Sequence, residues 1–247
     1  MPDPPFRVLG VTNEHSGGKN KMAHDATHSA ARRTGQTGNT DQDLSAMVAS
    51  RICHDLVSPL GAIGNGLELM QLASSTLGPE LSLVAQSTDS ANARLRFYRI
   101  AFGIVSASQS ISRAEILSIL DALQPHQKHK VSWTCDTELT RQQVKLMFLL
   151  LMCLETTVPW GGEIVLRSAP CGVELVANAH RLRIEDSLWT ALCDAGRIED
   201  LTSAKIHFAL AGAEIAAQGY AVSVTAQESS FAIRVALECG DGRICGT

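Results

Sequence analysis

The feature that most constrains this chain is a series of apolar residues, three and four positions apart, that begins after Asp41. At about 100° per residue, such spacing places them on one side of an α-helix. The positions are Leu44, Val48, Ile52, Leu56, Leu60, Ile63, Leu67 and Met70. A glycine and three polar residues fall nearly opposite: His54, Ser58, Gly61 and Asn65. The pattern therefore predicts a long amphipathic helix with a polar face.

A second helix is predicted after the Gly78-Pro79 break, because proline suits the start of a helix. Its apolar positions alternate steps of three and four, as in a heptad seam: Leu81, Val84, Thr88, Ala91, Leu95, Tyr98, Phe102 and Val105. Two such helices joined by a short break form an antiparallel hairpin. A lone hairpin leaves apolar surface uncovered, so we predict that two copies pair into a four-helix bundle and form a homodimer.

The C-terminal half mixes helix and strand patterns and predicts an α+β fold. Ser112 begins a capping-box pattern, a strand follows at 130–135, and Thr140 is the expected N-cap of the next helix. Two further strands, a helix from 202 to about 218 and a closing hairpin complete the pattern. Helices on one face of a largely antiparallel sheet make such a domain.

The N-terminal segment, residues 1–40, differs from the rest of the chain. It is rich in Gly, Ser, Thr, Asn and His, and it lacks apolar periodicity. Such a segment buries too little apolar surface to offset its ordering entropy, so we expect a disordered tail. The predicted organisation is therefore a tail at 1–40, a helical hairpin at 41–110, an α+β domain at 111–240 and a short tail at 241–247.

Composition excludes several classes of protein. The formal net charge of −4 and the 4% aromatic content argue against nucleic-acid binding. The longest apolar run, at 146–154, is too short to span a membrane, and we predict a cytoplasmic protein without membrane association. The seven cysteines lack paired C-x-x-C spacing, which excludes a zinc ribbon and favours reduced thiols.

The most specific motif is the string His-Asp-Leu-Val-Ser-Pro-Leu at 54–60. It resembles the phosphoacceptor box of histidine kinases, in which an acid follows the histidine and a proline lies five residues on. The longer string SRICHDLVSPLGAIGNGLELM at 50–70 is similar to that of the ChpT-type histidine phosphotransferases of bacterial cell-cycle phosphorelays. The resemblance extends over residues 42–238 in the order of elements.

The chemistry of these residue types agrees with the resemblance. A neutral imidazole is a nucleophile near physiological pH and can form a phosphoramidate, which makes His54 the expected phosphoacceptor. Asp55 is suited to accept a hydrogen bond from the other ring nitrogen or to withdraw the proton. Ser58, one turn on, is suited to contact a phosphoryl oxygen or to position water. Partner docking is expected at nearby positions: Arg51, Gly61, Asn65 and Glu68.

The second domain resembles the ATP-binding domain of histidine kinases, but it lacks the nucleotide-binding residues. Asparagines that hold Mg²⁺ and nucleotide are replaced by Leu149 and Cys153, which are not hard oxygen ligands. Residues 178–183 read NAHRLR where an Asp-x-Gly-x-Gly loop belongs, and Gly212 alone cannot form a phosphate-binding loop. We therefore expect no ATP binding, no metal site and no cofactor.

The resemblance implies an ATP-independent phosphotransferase. A receiver-domain aspartyl phosphate of a hybrid sensor kinase would donate to His54, which would then donate to receiver domains of response regulators. The receiver's acidic pocket would bring Mg²⁺. Arg181 and Arg183, where a nucleotide lid would lie, are candidates to face an acidic receiver surface, although two exposed strand-end arginines explain them equally well.

Two alternatives stay open on the sequence. One is an ATP-dependent histidine kinase core with a divergent nucleotide pocket. The other is a dimeric interaction module without catalysis, in which the histidine has no chemical role.

Overall fold

A computed structural model of the protein describes residues 7–9, 34–72, 79–103, 110–194, 198 and 201–237. The α-helices in these ranges are α1 (Thr34–Leu72), α2 (Pro79–Ala101), α3 (Arg113–Leu123), α4 (Arg141–Glu155), α5 (Asp186–Cys193) and α6 (Ile206–Gln218). The strands are β1 (Arg7–Leu9), β2 (His129–Trp133), β3 (Gly162–Ala169), β4 (Gly172–Asn178), β5 (Ala221–Ala226) and β6 (Ser230–Ala236). Within the described part of the chain, no helix is long and apolar enough to cross a membrane.

The two predicted helices, α1 and α2, pack against each other as a hairpin. α1 continues through Pro59, and it begins at Thr34, seven positions before the predicted start at Asp41. α2 buries a face that is formed by Ala93, Phe97, Ile100 and Ala101. The periodicity of the sequence therefore located both helices of the hairpin.

The C-terminal domain is built on a sheet with the strand order β1-β5-β6-β4-β3-β2. All neighbouring strands run antiparallel except β2 and β3, which are parallel. Inward-facing residues such as Leu166, Leu175 and Ile233 are fully buried. On the outer face, Glu174 is bonded to both Arg167 and Arg234. This alternation confirms the predicted α+β fold.

Local signals in the sequence fix several helix ends. Ser112 accepts a hydrogen bond from the Glu115 backbone N–H, and Thr140 forms a capping box with Gln143 at the start of α4. Gly219 ends α6 with φ of 66°, a left-handed conformation in which a Cβ atom would be strained. These three helix ends agree with the predictions made from the sequence.

The hairpin and the C-terminal domain share one hydrophobic core. Phe97 of α2 stacks on Phe148 of α4, with ring centroids 4.5 Å apart, and Trp133 of β2 lies edge-on to Phe148 with centroids 6.3 Å apart. The hairpin is therefore anchored to the sheet domain through α2.

The structure differs from the sequence predictions in three places. Arg7–Leu9, inside the predicted disordered tail, forms a strand that pairs with β5, and α1 also begins inside that tail. The helix α5 was not predicted. Cys171 takes part in a disulfide, whereas Cys135, Cys153 and Cys193 are free thiols as expected. The predicted tail at 241–247 lies outside the described residues.

Candidate active site

His54 and Asp55 are neighbours on α1, yet they occupy opposite environments. The His54 side chain is 81% exposed, whereas the Asp55 side chain is 7% exposed. Successive residues of a helix differ by about 100° in direction, so one points to solvent and the other toward α2. The two still meet, because Nδ1 of His54 lies 2.9 Å from Oδ1 of Asp55.

The second carboxylate oxygen of Asp55 is held from two directions. The Tyr98 hydroxyl of α2 donates to Oδ2, and the Arg51 guanidinium, one turn back on α1, forms an ion pair with the same oxygen (Nε to Oδ2, 2.9 Å). Burial alone would raise the pKa of Asp55. Hydrogen bonds from Tyr98 and His54 and the nearby positive charges outweigh burial and lower that pKa below its ordinary value. Asp55 is therefore ionised at neutral pH.

An ionised Asp55 determines the tautomer of neutral His54. A carboxylate only accepts hydrogen bonds, so Nδ1 of the ring must carry the proton that lies between the two groups. The lone pair of the neutral ring is then on Nε2, which the high exposure of His54 leaves open to solvent. The arrangement presents one nucleophilic nitrogen to an approaching reactant.

A second histidine, His207, lies in the protein interior near Asp55. His207, near the start of α6, is 1% exposed, and neither of its ring nitrogens has a hydrogen-bond partner among the described residues. Burial is the main cause that lowers its pKa to about 3, and the charge of Arg51 acts in the same direction while Asp55 opposes it. His207 is therefore neutral and is not a second proton acceptor near pH 7.

A cavity of about 270 Å³ lies between the hairpin and the C-terminal domain beside Asp55. Asp55 and Tyr98 line it from the hairpin, and His126 and His129 line it from the other side. His129 lies 3.3 Å from Glu155 (Nε2 to Oε1). Across the described ranges, no group of three or more His, Cys, Asp or Glu is arranged to hold a metal ion.

The structure places four of the predicted contact residues on the exposed face that continues from His54. They are Ser58, Gly61, Asn65 and Glu68. Ser58 also borders a shallow groove that Pro59, Ser87 and Arg94 help to line. A Cβ atom at Gly61 would meet nothing within 4 Å, so packing inside this chain does not require a glycine there.

Arg51 does not belong to this face. It was predicted as a docking residue, but the structure directs its guanidinium to the buried carboxylate of Asp55. The reason is the helical spacing, because residues four apart are neighbours on a helix surface.

The two arginines predicted as docking residues on the C-terminal domain differ from each other. Arg181 is exposed and its guanidinium lies 4.1 Å from the ring centroid of Trp160, which is itself 56% exposed. Arg183 instead pairs with Glu185 at 2.9 Å, and its backbone N–H donates to Thr157. An arginine in an ion pair is less available to an acidic partner, so Arg181 is the better placed of the two.

The positions that would hold nucleotide in a histidine kinase are filled by core side chains here. Leu149 and Cys153 of α4 are both fully buried. Burial, followed by the charge of Glu155, raises the pKa of the Cys153 thiol well above its ordinary value, so this sulfur stays protonated and is a poor metal ligand. Both side chains are packing residues in this fold.

Comparison with known proteins agrees with these observations. Residues 113–230 match the family described as "Histidine phosphotransferase C-terminal domain". The C-terminal half of the chain is therefore similar to the corresponding domain of histidine phosphotransferases. It is also similar to the protein phosphotransferase ChpT of Brucella abortus (strain 2308), with 29% identity over 197 residues, which are 76% of this chain and 94% of that protein.

A solved bacterial phosphotransferase has the same fold. The two structures superpose with a TM-score of 0.66 and 25% sequence identity, over 85% of this chain and 98% of the other. The resemblance to ChpT-type histidine phosphotransferases is thus confirmed, together with the α+β fold. These likenesses support a phosphotransferase role for the chain.

Sequence reasoning missed three residues around this site. Tyr98 was predicted only as a seam residue of α2, and no functional role was predicted for His207 or Trp160. A polar hydroxyl in an otherwise apolar seam was the one available signal for Tyr98, since a buried tyrosine usually needs a hydrogen-bond partner.

Proposed function

We propose that this chain is an ATP-independent histidine phosphotransferase of a two-component phosphorelay. His54 accepts a phosphoryl group from a receiver-domain aspartyl phosphate of a hybrid sensor kinase and passes it to receiver domains of response regulators. The observation that carries the proposal is the exposed His54 ring, whose Nδ1 is held by the buried Asp55 carboxylate while Nε2 stays open.

Each transfer step exchanges one bond at phosphorus. In the first step the Nε2 lone pair attacks phosphorus, the P–N bond forms, and the P–O bond to the donor aspartate breaks to release a carboxylate. The positive charge that develops on the ring is stabilised by the hydrogen bond from Nδ1 to Asp55. In the second step a carboxylate oxygen of the recipient receiver attacks phosphorus, and the P–N bond breaks to regenerate neutral imidazole.

The interior of the C-terminal domain supports ATP independence. Leu149 and Cys153 occupy the core, and neither can supply a hard oxygen ligand to Mg²⁺. In this proposal the Mg²⁺ that assists transfer belongs to the acidic pocket of the receiver domain. The chain itself contributes the nucleophile and its hydrogen-bonded carboxylate.

Exposed leucines on the hairpin support a homodimer. Leu60 and Leu67 of α1, which belong to its predicted apolar face, are 57% and 47% exposed, and Leu95 of the α2 seam is 48% exposed. Pairing two hairpins into a four-helix bundle would remove these side chains from water. Because each leucine is already about half buried, its burial would stabilise the dimer by about 0.7–1.5 kcal/mol.

The proposed docking surface for the receiver domain has two parts, one on α1 and one on the C-terminal domain. The exposed face of α1 provides Ser58, Gly61, Asn65 and Glu68 around His54, and Gly61 allows close approach of a partner backbone. On the C-terminal domain, the stacked pair of Arg181 and Trp160 offers a cation and an aromatic ring, a combination that is enriched at the energetic centres of interfaces.

A transfer experiment with two phosphoryl donors tests the function. The chain is incubated either with γ-labelled ATP alone or with a receiver domain that carries a labelled aspartyl phosphate. We expect label from the receiver and none from ATP. His54→Ala should abolish labelling, whereas His180→Ala, at an exposed histidine of the C-terminal domain, should retain it.

The outcomes separate the alternatives. Stable labelling of His54 by ATP alone would make the chain a histidine kinase core. No labelling by any phosphorylated receiver, or equal labelling of His54→Ala, would leave a dimeric interaction module without catalysis.

A further inference from the structure

Adjacent side chains on a helix do not normally face each other, so the bond between His54 and Asp55 requires an explanation. Residues three and four apart are neighbours on a helix surface, whereas positions i and i+1 diverge by about 100°. Asp55 points into the hairpin, toward Tyr98 on α2, and only its Oδ1 reaches back to the His54 ring. Another side chain must therefore hold the Asp55 carboxylate in the orientation that directs Oδ1 to the His54 ring.

Tyr98 is the group that fixes this rotation from the opposite helix. Its hydroxyl donates to Oδ2 while Oδ1 receives the His54 ring, so each oxygen has one hydrogen-bonded partner. We propose that Tyr98 is a positioning residue for phosphoryl transfer: it anchors Asp55 so that the carboxylate keeps the Nδ1–H tautomer of His54 and leaves Nε2 as the nucleophile. The inference rests on the proposed function of His54 and extends it to α2.

The surroundings of Tyr98 suit an anchor. The ring is buried, it lies edge-on to Phe97 with centroids 6.0 Å apart, and it stacks on Phe102 at 5.3 Å. Phe97 is in turn stacked on Phe148 of α4, which ties the ring to the core of the C-terminal domain. A ring packed on several sides has little rotational freedom, so its hydroxyl has a fixed direction.

Tyr98 also acts as a donor over the whole physiological pH range. Burial, the hydrogen bond to Asp55 and the carboxylate charge all raise the pKa of the phenol. The hydroxyl therefore keeps its proton and does not exchange the donor role with Asp55.

Arg51 supports the same carboxylate in a different way. It contacts Oδ2 from the same helix through an ion pair that is not an aligned hydrogen bond. A charge on a flexible side chain stabilises the ionised state of Asp55, whereas a hydrogen bond from a packed ring determines the direction of the carboxylate. Removing Tyr98 should thus leave Asp55 ionised but less well oriented.

The tautomer matters because the wrong one blocks the reaction. In a neutral ring with the proton on Nε2, the exposed nitrogen has no lone pair for attack on phosphorus. An unconstrained histidine side chain favours that Nε2–H form, so the hydrogen bond from Nδ1 must shift the equilibrium. Loss of orientation at Asp55 should therefore lower the fraction of reactive His54.

The two tyrosines of the chain give a matched pair of variants. Tyr98→Phe removes the hydroxyl and keeps the ring, and Tyr220→Phe makes the same change on the C-terminal domain, at a half-buried residue with no side-chain hydrogen bond among the described residues. ¹⁵N NMR of the neutral His54 imidazole measures the tautomer directly and needs no phosphoryl donor. Initial rates of phosphoryl acceptance are measured on the same samples.

We expect mostly Nδ1–H in the wild type and in Tyr220→Phe, and a shift toward Nε2–H in Tyr98→Phe with an acceptance rate about 10-fold lower. Unchanged tautomer populations in a folded Tyr98→Phe would overturn the inference. A wild-type His54 ring that is mostly in the Nε2–H form would also overturn it. This second measurement uses the wild type alone, so the inference can be tested even if Tyr98→Phe does not fold. Absence of phosphoryl acceptance by the wild type would instead contradict the proposed function.

Discussion

At the scale of single residues, the proposed function depends on the exposed ring of His54 and the buried carboxylate of Asp55 that bonds to it. The sequence predicted His54, Asp55 and Ser58 because all three lie within one short local motif. It did not predict the bond to Tyr98, which is 43 positions from Asp55. Such a contact depends on how two helices pack, and the apolar periodicity of α2 specifies a buried face without specifying which atoms meet across it.

Asp55→Asn tests the carboxylate. The neutral amide cannot stabilise the positive charge that develops on the His54 ring, so we expect phosphoryl acceptance to slow by about 100-fold. Asp89→Asn, an exposed acid on α2, is the matched control and should retain the wild-type rate. Rates are measured with a phosphorylated receiver, and circular dichroism verifies folding. An unchanged rate in folded Asp55→Asn would show that the carboxylate has no part in the chemistry.

At the scale of elements, helices with a long apolar repeat were predicted from the sequence, and short elements were missed. Long periodic stretches located α1, α2 and α4, and the capping box of Thr140 fixed the start of α4. The missed helix α5 spans eight residues and has no side-chain N-cap, so it carries too few turns for a periodic signal. Its stability comes from tertiary packing, since Trp189 contacts Phe231 with centroids 4.5 Å apart.

The strand β1 was missed for a different reason. It is three residues long, and its place in the sheet comes from backbone pairing with β5. Backbone hydrogen bonds to a distant strand leave no pattern in a three-residue stretch of sequence.

The apolar faces of the hairpin predict an effect on assembly. The double variant Leu60→Glu with Leu67→Glu places two charges on the face that would be buried between copies, so it should convert the proposed dimer into a monomer. Light scattering after size-exclusion chromatography measures the mass. The control, Leu69→Glu with Leu83→Glu, changes two exposed leucines outside the apolar faces and should stay dimeric. A monomeric wild-type protein would contradict the four-helix bundle.

At the scale of the whole molecule, the C-terminal domain packs against the hairpin on the side of α1 that carries Asp55. α6 brings the buried His207 to the side of α1 that carries Arg51 and Asp55, and the α2 ring of Phe97 joins the hairpin to α4. The order of elements predicted the fold of this domain. It could not predict that an unpartnered histidine would lie near Asp55, because that requires the relative placement of α1 and α6.

Burial of His207 predicts acid sensitivity of folding. Its pKa falls from 6.5 to about 3 on folding, so below pH 6.5 the unfolded chain binds a proton that the folded protein does not. Stability is therefore lost as pH falls from 6.5 toward 3, by about 2 kcal/mol between pH 7 and pH 5. Asp55 does not add to this loss, because its lowered pKa keeps it ionised over that interval.

Urea unfolding at pH 7 and pH 5 measures this effect. His207→Leu should reduce the difference in unfolding free energy between the two pH values by about 2 kcal/mol, whereas His180→Leu, at an exposed site, should leave it as in the wild type. An equal pH dependence in the wild type and in His207→Leu would show that His207 is not buried in the neutral form.

The most direct test of the central claim is to locate the phosphoryl group on the chain after transfer from a receiver domain. Mass spectrometry of the phosphorylated protein counts and places the group, and ³¹P and ¹⁵N NMR identify the bonded nitrogen. We expect one phosphoryl group per chain, on Nε2 of His54. A phosphoryl group on Nδ1 of His54, on another residue, or on no residue at all would contradict it.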